Sequence, residues 1–238
     1  WKQVVAQEHD ADRFIFVGDY FDSFTVSGVV QIHNFKEIVE FKTTSLYHYN
    51  KLILYFCFMQ KKIVLIGGPG TGKSSVLKQL KHSGFFCMEE ISREITIKAQ
   101  KEGIDQLFLT EPILFSKLLL QGRKEQHQRA SDTTHNLVFF DRGLPDIHAY
   151  LDYTKEKYPS YFKESSKKYN YDYVFHFRPW KEIFITDSER YESFEEAKVI
   201  DTYLEKTYKD LNYSLIEVPF DTVENRSNFI LNWLKKNV

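Results

Sequence analysis

Short apolar runs alternate with amphipathic stretches through most of the chain. Runs at Ile63–Ile66, Phe85–Met88, Leu137–Phe140, Tyr173–Phe177 and Ser214–Val218 are bounded by polar or turn-forming residues, as buried strands are. Between them, apolar residues recur at spacings of three and four: Val76, Leu77 and Leu80; then Ala197, Ile200, Leu204, Tyr208 and Leu211; then Phe229, Ile230, Trp233 and Leu234. That period places one apolar stripe on each of a series of helices. Pro112 and Pro145 suit the first turns of helices, and Ser193-x-x-Glu196 and Asp221-x-x-Glu224 have the capping-box spacing. Strands alternating with helices predict an α/β domain with a five-stranded, mostly parallel sheet and helices on both faces.

The first 58 residues follow a different pattern. A strand-like run, Phe14–Val17, leads through a Gly18-Asp19 turn to a helical spacing at Ile32, Phe35, Ile38 and Val39, a truncated β-turn-α unit. Thr43–Phe58 is dense in Tyr, Phe and Leu without a period and holds at most one strand, at Lys51–Phe56. The boundary falls at Met59, which gives an incomplete fragment and linker over 1–58 and the α/β domain over 59–238. No internal repeat is present.

Composition narrows the chemistry. Lys and Arg total 32 against 33 Asp and Glu, a net charge of −1, which disfavours a nucleic-acid partner and points to a small-molecule ligand. The two cysteines, Cys57 and Cys87, make neither a disulfide framework nor a metal spacing, so a reducing cytoplasm is the expected location. The longest apolar stretch, Leu52–Met59, is far short of the roughly 20 residues of a membrane span.

The densest chemical signal is Gly67-Gly68-Pro69-Gly70-Thr71-Gly72-Lys73-Ser74, followed by Ser75, between the first strand of the domain and its first helix. This is the phosphate-binding loop pattern. Its glycines admit left-handed backbone angles that turn successive N–H groups toward a β-phosphate, and the helix N-terminus adds its positive end. Lys73 reaches β- and γ-phosphates in this pattern and the Ser74 hydroxyl takes Mg²⁺, so ATP or GTP with Mg²⁺ is the expected ligand. No Asn-Lys-x-Asp base-reading motif is present, which disfavours a switch GTPase.

Such a loop needs a carboxylate at the end of a neighbouring strand, and Asp141 closes Leu137–Phe140. Arg142 follows where small-molecule kinases place an arginine near the acceptor or the transferred phosphate. Glu90 and Arg93 lie where an acceptor pocket would form, although a solvated helical pair reads equally from the same residues. Arg178, in Arg178-Pro179-Trp180, and Arg190 stand after the fourth strand as candidate lid residues or surface arginines. His127, His135 and His148 lack metal-ligand spacing and read as surface or packing residues.

Over 59–238 these motifs resemble the AAA-domain family of predicted ATPases, which is similar to the nicotinamide-riboside-kinase-like domain of the bifunctional NAD-biosynthesis regulator. The matching residues are Gly67–Ser74, Glu89-Glu90-x-x-Arg93-Glu94, Phe140-Asp141-Arg142-Gly143-Leu144-Pro145-Asp146, Arg178-Pro179-Trp180, Asp187-x-x-Arg190 and Val218-Pro219. The resemblance implies a five-stranded parallel sheet in P-loop kinase order, ATP and Mg²⁺ binding, and an acceptor that the family does not define; Lys73, Asp141, Arg142, Arg178 and Arg190 are the candidate catalytic residues. Phe16–Asp22 resembles calcineurin-like metallophosphoesterases, whose companion ligands, Asp-x-His and Gly-Asn-His-Asp, are missing from the chain, so this segment reads as a remnant. The leading expectation is ATP-dependent phosphoryl transfer to a small-molecule acceptor. Its rivals are a nucleotide-switched binding module with slow ATP hydrolysis and, from the first segment, a metal-dependent phosphoesterase.

Overall fold

Apolar runs at Ile63–Ile66, Val138–Phe140 and Val174–Phe175 are buried on both faces, and half-buried runs at Phe86–Met88 and Leu215–Ile216 flank them in the same sheet. The computed structural model describes residues 60–104, 106–185 and 192–238 in full, and the backbone of β1 (Val5–Asp10), β2 (Arg13–Val17) and β3 (Gly28–Gln31). The chain divides into two compact units, Trp1–Met59 and Gln60–Val238.

In the first unit, β1, β2 and β3 pair antiparallel in sequence order, with Ala6 opposite Phe16 and Phe14 opposite Val30. The strand expected at Phe14–Val17 is β2. Its two neighbours carry no strand-like apolar run: Val5–Asp10 ends in four polar residues, and Gly28–Gln31 is only four residues long. The helix expected over 32–39, the Gly18-Asp19 turn and Asp22 lie outside the described residues.

In the second unit the strands are β4 (Lys61–Ile66), β5 (Phe86–Met88), β6 (Leu137–Asp141), β7 (Tyr173–His176) and β8 (Leu215–Glu217). They form one parallel sheet in the order β5-β6-β4-β7-β8, the P-loop nucleoside and nucleotide kinase arrangement. The helices are α1 (Lys73–His82), α2 (Ser92–Lys101), α3 (Leu107–Thr110), α4 (Pro112–Ser131), α5 (Leu144–Tyr153), α6 (Tyr161–Lys168), α7 (Phe194–Asp210) and α8 (Val223–Asn237), with a 3₁₀ turn at Lys181–Ile183.

Successive strand residues point to opposite faces, so the sheet divides the core in two. Val64, Ile66, Val138, Phe140 and Val174 face one way and pack with Leu119 and Leu120 of α4, Leu144, Ile147 and Leu151 of α5, and Tyr208 of α7. Ile63, Leu65, Phe139 and Phe175 face the other way, onto Val76, Leu77 and Leu80 of α1 and Ile230 and Leu234 of α8. Burial on both sides explains why these strands read as continuous apolar runs and not as an alternation.

Helix starts largely follow the sequence signals. Pro112 and Pro145 sit in the first turns of α4 and α5, and Ser193 and Glu196 close a reciprocal capping box on α7. The box expected at Asp221 and Glu224 does not form. Thr222 is the cap, its hydroxyl accepting from Asn225 N, while Asp221 Oδ1 accepts from Thr222 N and Asn225 Nδ2. Among the described residues no helix is long and apolar enough to cross a membrane.

With β4 central, β6 on one side and β7 on the other, three loops meet at the carboxyl edge of the sheet. Within this unit β5 and β6 lie to one side of β4 and β7 and β8 to the other, and open α/β sheets bind ligands at such a reversal of strand order. Leu65 is level with Asp141 and Ile66 with His176, which gathers the loops leaving all three strands around one point.

Candidate active site

The loop leaving β4 turns at glycines because nothing larger fits. Gly67 has φ +141°, and a Cβ there would run into the carbonyl oxygen of Phe177, the residue after β7. Gly72, at φ +80°, is the N-cap of α1, and no side chain caps the helix behind it. The first-turn N–H groups of α1 are thus left for an incoming ligand, and no acidic residue stands in that turn to compete.

Lys73 is buried, and its Nζ donates to Gly67 O at 2.8 Å, Gly68 O at 2.7 Å and Thr71 Oγ1 at 3.0 Å. Its ammonium therefore rests inside the loop it belongs to. Burial and the nearby Arg142 push its pKa down to about 7, against the opposing pull of Asp141. Its direct partners are neutral oxygens, and polyphosphate would supply charged ones. The Ser74 hydroxyl donates to Asp141 Oδ2 at 2.7 Å, while Ser74 and Ser75 stay exposed at the helix start. Asp141 itself is only 3% exposed, and burial raises its pKa above the ordinary carboxyl value even though Lys73 draws it down. A hydroxyl and a carboxylate in contact are hard oxygen donors of the kind Mg²⁺ takes.

Directly after Asp141 the backbone turns sharply: Arg142 has φ +69°, a left-handed angle that costs a non-glycine residue about 1 kcal/mol or more. The side chain it aims is held from several directions. Arg142 Nε lies 2.6 Å from Glu90 Oε2, Nη1 donates to Tyr150 Oη at 3.3 Å, and the guanidinium lies over the Tyr150 ring. Glu90 is shared with the buried Arg123, whose Nη2 lies 3.1 Å from Oε1 and whose Nη1 donates to Gly143 O at 2.6 Å. Ile91 N and Ser92 N also donate to Glu90 Oε1. Burial pushes the Glu90 carboxyl up, but Arg123 and Arg142 outweigh it and hold the group below its ordinary value. Asp146 Oδ2 accepts from Gly143 N at 2.8 Å and from Tyr208 Oη at 2.7 Å, locking the turn that carries Arg142.

Lys73, Ser74, Asp141, Arg142 and Glu90 are thus brought together at one edge of the sheet. Arg178, expected as either a lid or a surface arginine, is held by carboxylates after β7. Its guanidinium is held by Glu205 Oε2 at 2.5 Å and Glu217 Oε1 at 2.6 Å, with Asp201 Oδ2 at 3.5 Å, so it ties β7 to α7 and β8. Arg190 lies outside the described residues. Of the histidines, His127 packs edge-on against Tyr169 and Tyr171, His135 stacks on Phe86, and His148 is buried in α5.

Two arginines of this region were not singled out by sequence reasoning. Arg123 follows Leu119 and Leu120 on the buried stripe of α4, and Arg226 precedes Ile230 and Leu234 on that of α8. A long cation in register with core leucines is the signal that marks both.

A family model described as an AAA domain matches residues 62–226. Among solved structures, deoxyadenosine kinase from M. mycoides with bound products is 19% identical, with a TM-score of 0.57 over 74% of this chain and 99% of that one. NadR protein in complex with NR is 16% identical with a TM-score of 0.58, over 74% of this chain and 51% of that one. Thymidylate kinase from Candida albicans is 14% identical with a TM-score of 0.52, over 75% of this chain and 92% of that one. At these identities the likeness is one of fold. No curated protein matches the chain by sequence.

Proposed function

We infer that this chain, which belongs to the AAA domain family, transfers the γ-phosphoryl group of ATP to a small-molecule acceptor. The observation that carries the reading is the contact between Ser74 Oγ and Asp141 Oδ2, 2.7 Å apart, beside a loop whose buried lysine rests on neutral oxygens of that loop. Phosphoryl transfer asks little covalent chemistry of the protein. It asks for positioning and for compensation of charge on the transferred group.

Each part of the site answers one of those needs. The loop and the α1 N-terminus hold the β-phosphate, and Lys73 exchanges its three loop oxygens for phosphate oxygens. Ser74 and Asp141 would hold Mg²⁺, which neutralises phosphate charge when bound. Arg142, oriented by Glu90, Tyr150 and the Asp146 turn, faces the transferred group from the side of β6. Glu90 acts here as a positioning residue: a carboxylate held by two arginines is a poor proton acceptor. The same fold carries bound dATP in the M. mycoides deoxyadenosine kinase and AMP-PNP in NadR, which supports the nucleotide part of the reading.

The test is ADP release from Mg-ATP in the presence of a metabolite library. Release stimulated by a hydroxyl-bearing acceptor, with a phosphorylated product, supports transfer. A slow rate indifferent to every acceptor would replace this reading with that of a hydrolysing nucleotide switch.

A further inference from the structure

Arg226 lies under the phosphate loop, from the far end of the chain. It is 1% exposed, and its Nη2 donates to Thr71 O at 2.9 Å. The guanidinium carbon sits 4.6 Å from the centre of the Phe177 ring and 5.8 Å from that of Trp180. Nη1 approaches Gly72 so closely that a Cβ there would lie 2.7 Å away. Among the described residues no carboxylate pairs with it, and its Nε has no hydrogen-bond partner. Burial alone pushes its pKa down to about 10, so it remains a cation at neutral pH.

An unpaired buried cation is costly, and an apolar side chain of similar length would fill this place between two aromatic rings at less expense. The arginine has one feature such a side chain lacks, its bond to the loop backbone. In a planar trans peptide the carbonyl and the following N–H point in opposite directions. A guanidinium that holds Thr71 O therefore fixes the Gly72 N–H to point away from the guanidinium. Ordinary helix N-termini fray; this one is pinned.

We propose that Arg226 is a positioning residue for nucleotide binding, fixing the Thr71–Gly72 peptide in its phosphate-receiving orientation and setting a second positive charge beneath the cradle. Phe177 and Trp180, from the segment after β7, hold the guanidinium flat so that it keeps this aim. The proposal rests on the nucleotide-binding reading above.

The test uses the full chain with Arg226→Met and Arg226→Lys, titrated calorimetrically with Mg-ATP and Mg-ADP. Removing one charge-assisted hydrogen bond and one cation predicts that Arg226→Met weakens both nucleotides by about 10- to 100-fold. The melting temperature of the nucleotide-free chain should stay level or rise, because an uncompensated charge has left the interior. Arg226→Lys should bind with intermediate affinity, and it answers the question should the methionine variant fail to fold. Wild-type nucleotide affinity in a folded variant would overturn the proposal, as would a lowered melting temperature with affinity untouched, the mark of a purely structural arginine. If the unaltered chain binds no nucleotide, the reading of the whole site fails first and this inference with it.

Discussion

Replacing Lys73 by methionine should uncouple nucleotide binding from protons. In the free protein its ammonium is buried among the oxygens of Gly67, Gly68 and Thr71, with a pKa of about 7 against 10.5 in the unfolded chain. At pH 8 about nine-tenths of the folded molecules then hold Lys73 neutral. Phosphate, with its own second pKa of about 6, is fully ionised at that pH and restores the charge on arrival. Binding of Mg-ATP at pH 8 should therefore take up close to one proton, about 0.9, and affinity should fall by up to about tenfold for each pH unit above 7.

The same depressed pKa has a consequence for the free fold. Between pH 7 and 10.5 the unfolded chain binds this proton and the folded chain does not, so Lys73 makes stability rise with pH by about 1.4 kcal/mol per unit. Below pH 7 both states bind it, and the full cost of the buried charge is present. Calorimetric titration at pH 8 in buffers of differing ionisation heat measures the proton count, and denaturant unfolding of the nucleotide-free chain from pH 7 to 9.5 measures the slope. Lys73→Met should lose the proton uptake, the extra slope and most of the nucleotide affinity. Binding by the unaltered chain at pH 8 without proton uptake would refute the reasoning.

Three further outcomes are expected. Asp141→Asn should still bind nucleotide but lose about 100-fold or more in turnover, since a neutral amide organises the metal poorly; steady-state rates beside a binding isotherm separate the two effects. His148 is buried with neither ring nitrogen hydrogen-bonded among the described residues, and burial lowers its pKa from 6.5 to about 4. The unfolded chain gains that proton first as pH falls, so stability should drop by about 2 to 3 kcal/mol between pH 6.5 and 4, and His148→Phe should flatten the drop in denaturant midpoints. A chain beginning at Met59 should fold cooperatively and bind Mg-ATP like the full chain, which should show no Mn²⁺-dependent phosphodiesterase activity; hydrolysis that is lost in Asp19→Asn would contradict this.

Much of the second unit is legible from the chain because it rests on local rules. The phosphate loop is one contiguous segment whose glycines, lysine and serine are fixed by backbone geometry and by the helix after it. The central strands β4, β6 and β7 appear as apolar runs since both of their faces are buried, and Ser193 with Glu196 caps α7 within a single turn. At Asp221 the local rule met an equally good neighbour, and Thr222 took the cap.

The linear pattern left open the polar side chains on otherwise apolar helical stripes: Arg123 in α4, Asp201 in α7 and Arg226 in α8. A helical period says that such a residue faces inward, but not what meets it there. Arg123 finds Glu90 and Gly143 O, Asp201 finds His176 Nε2 at 2.8 Å, and Arg226 reaches Thr71 O across 155 residues of chain. Likewise, Arg178 after the fourth strand reads equally as a lid or a surface arginine, and the fold sets it between Glu205 and Glu217. Strand and helix arise from the spacing of neighbours along the chain, whereas the partner of a buried charge depends on which elements the sheet order brings face to face, and only the folded chain decides that.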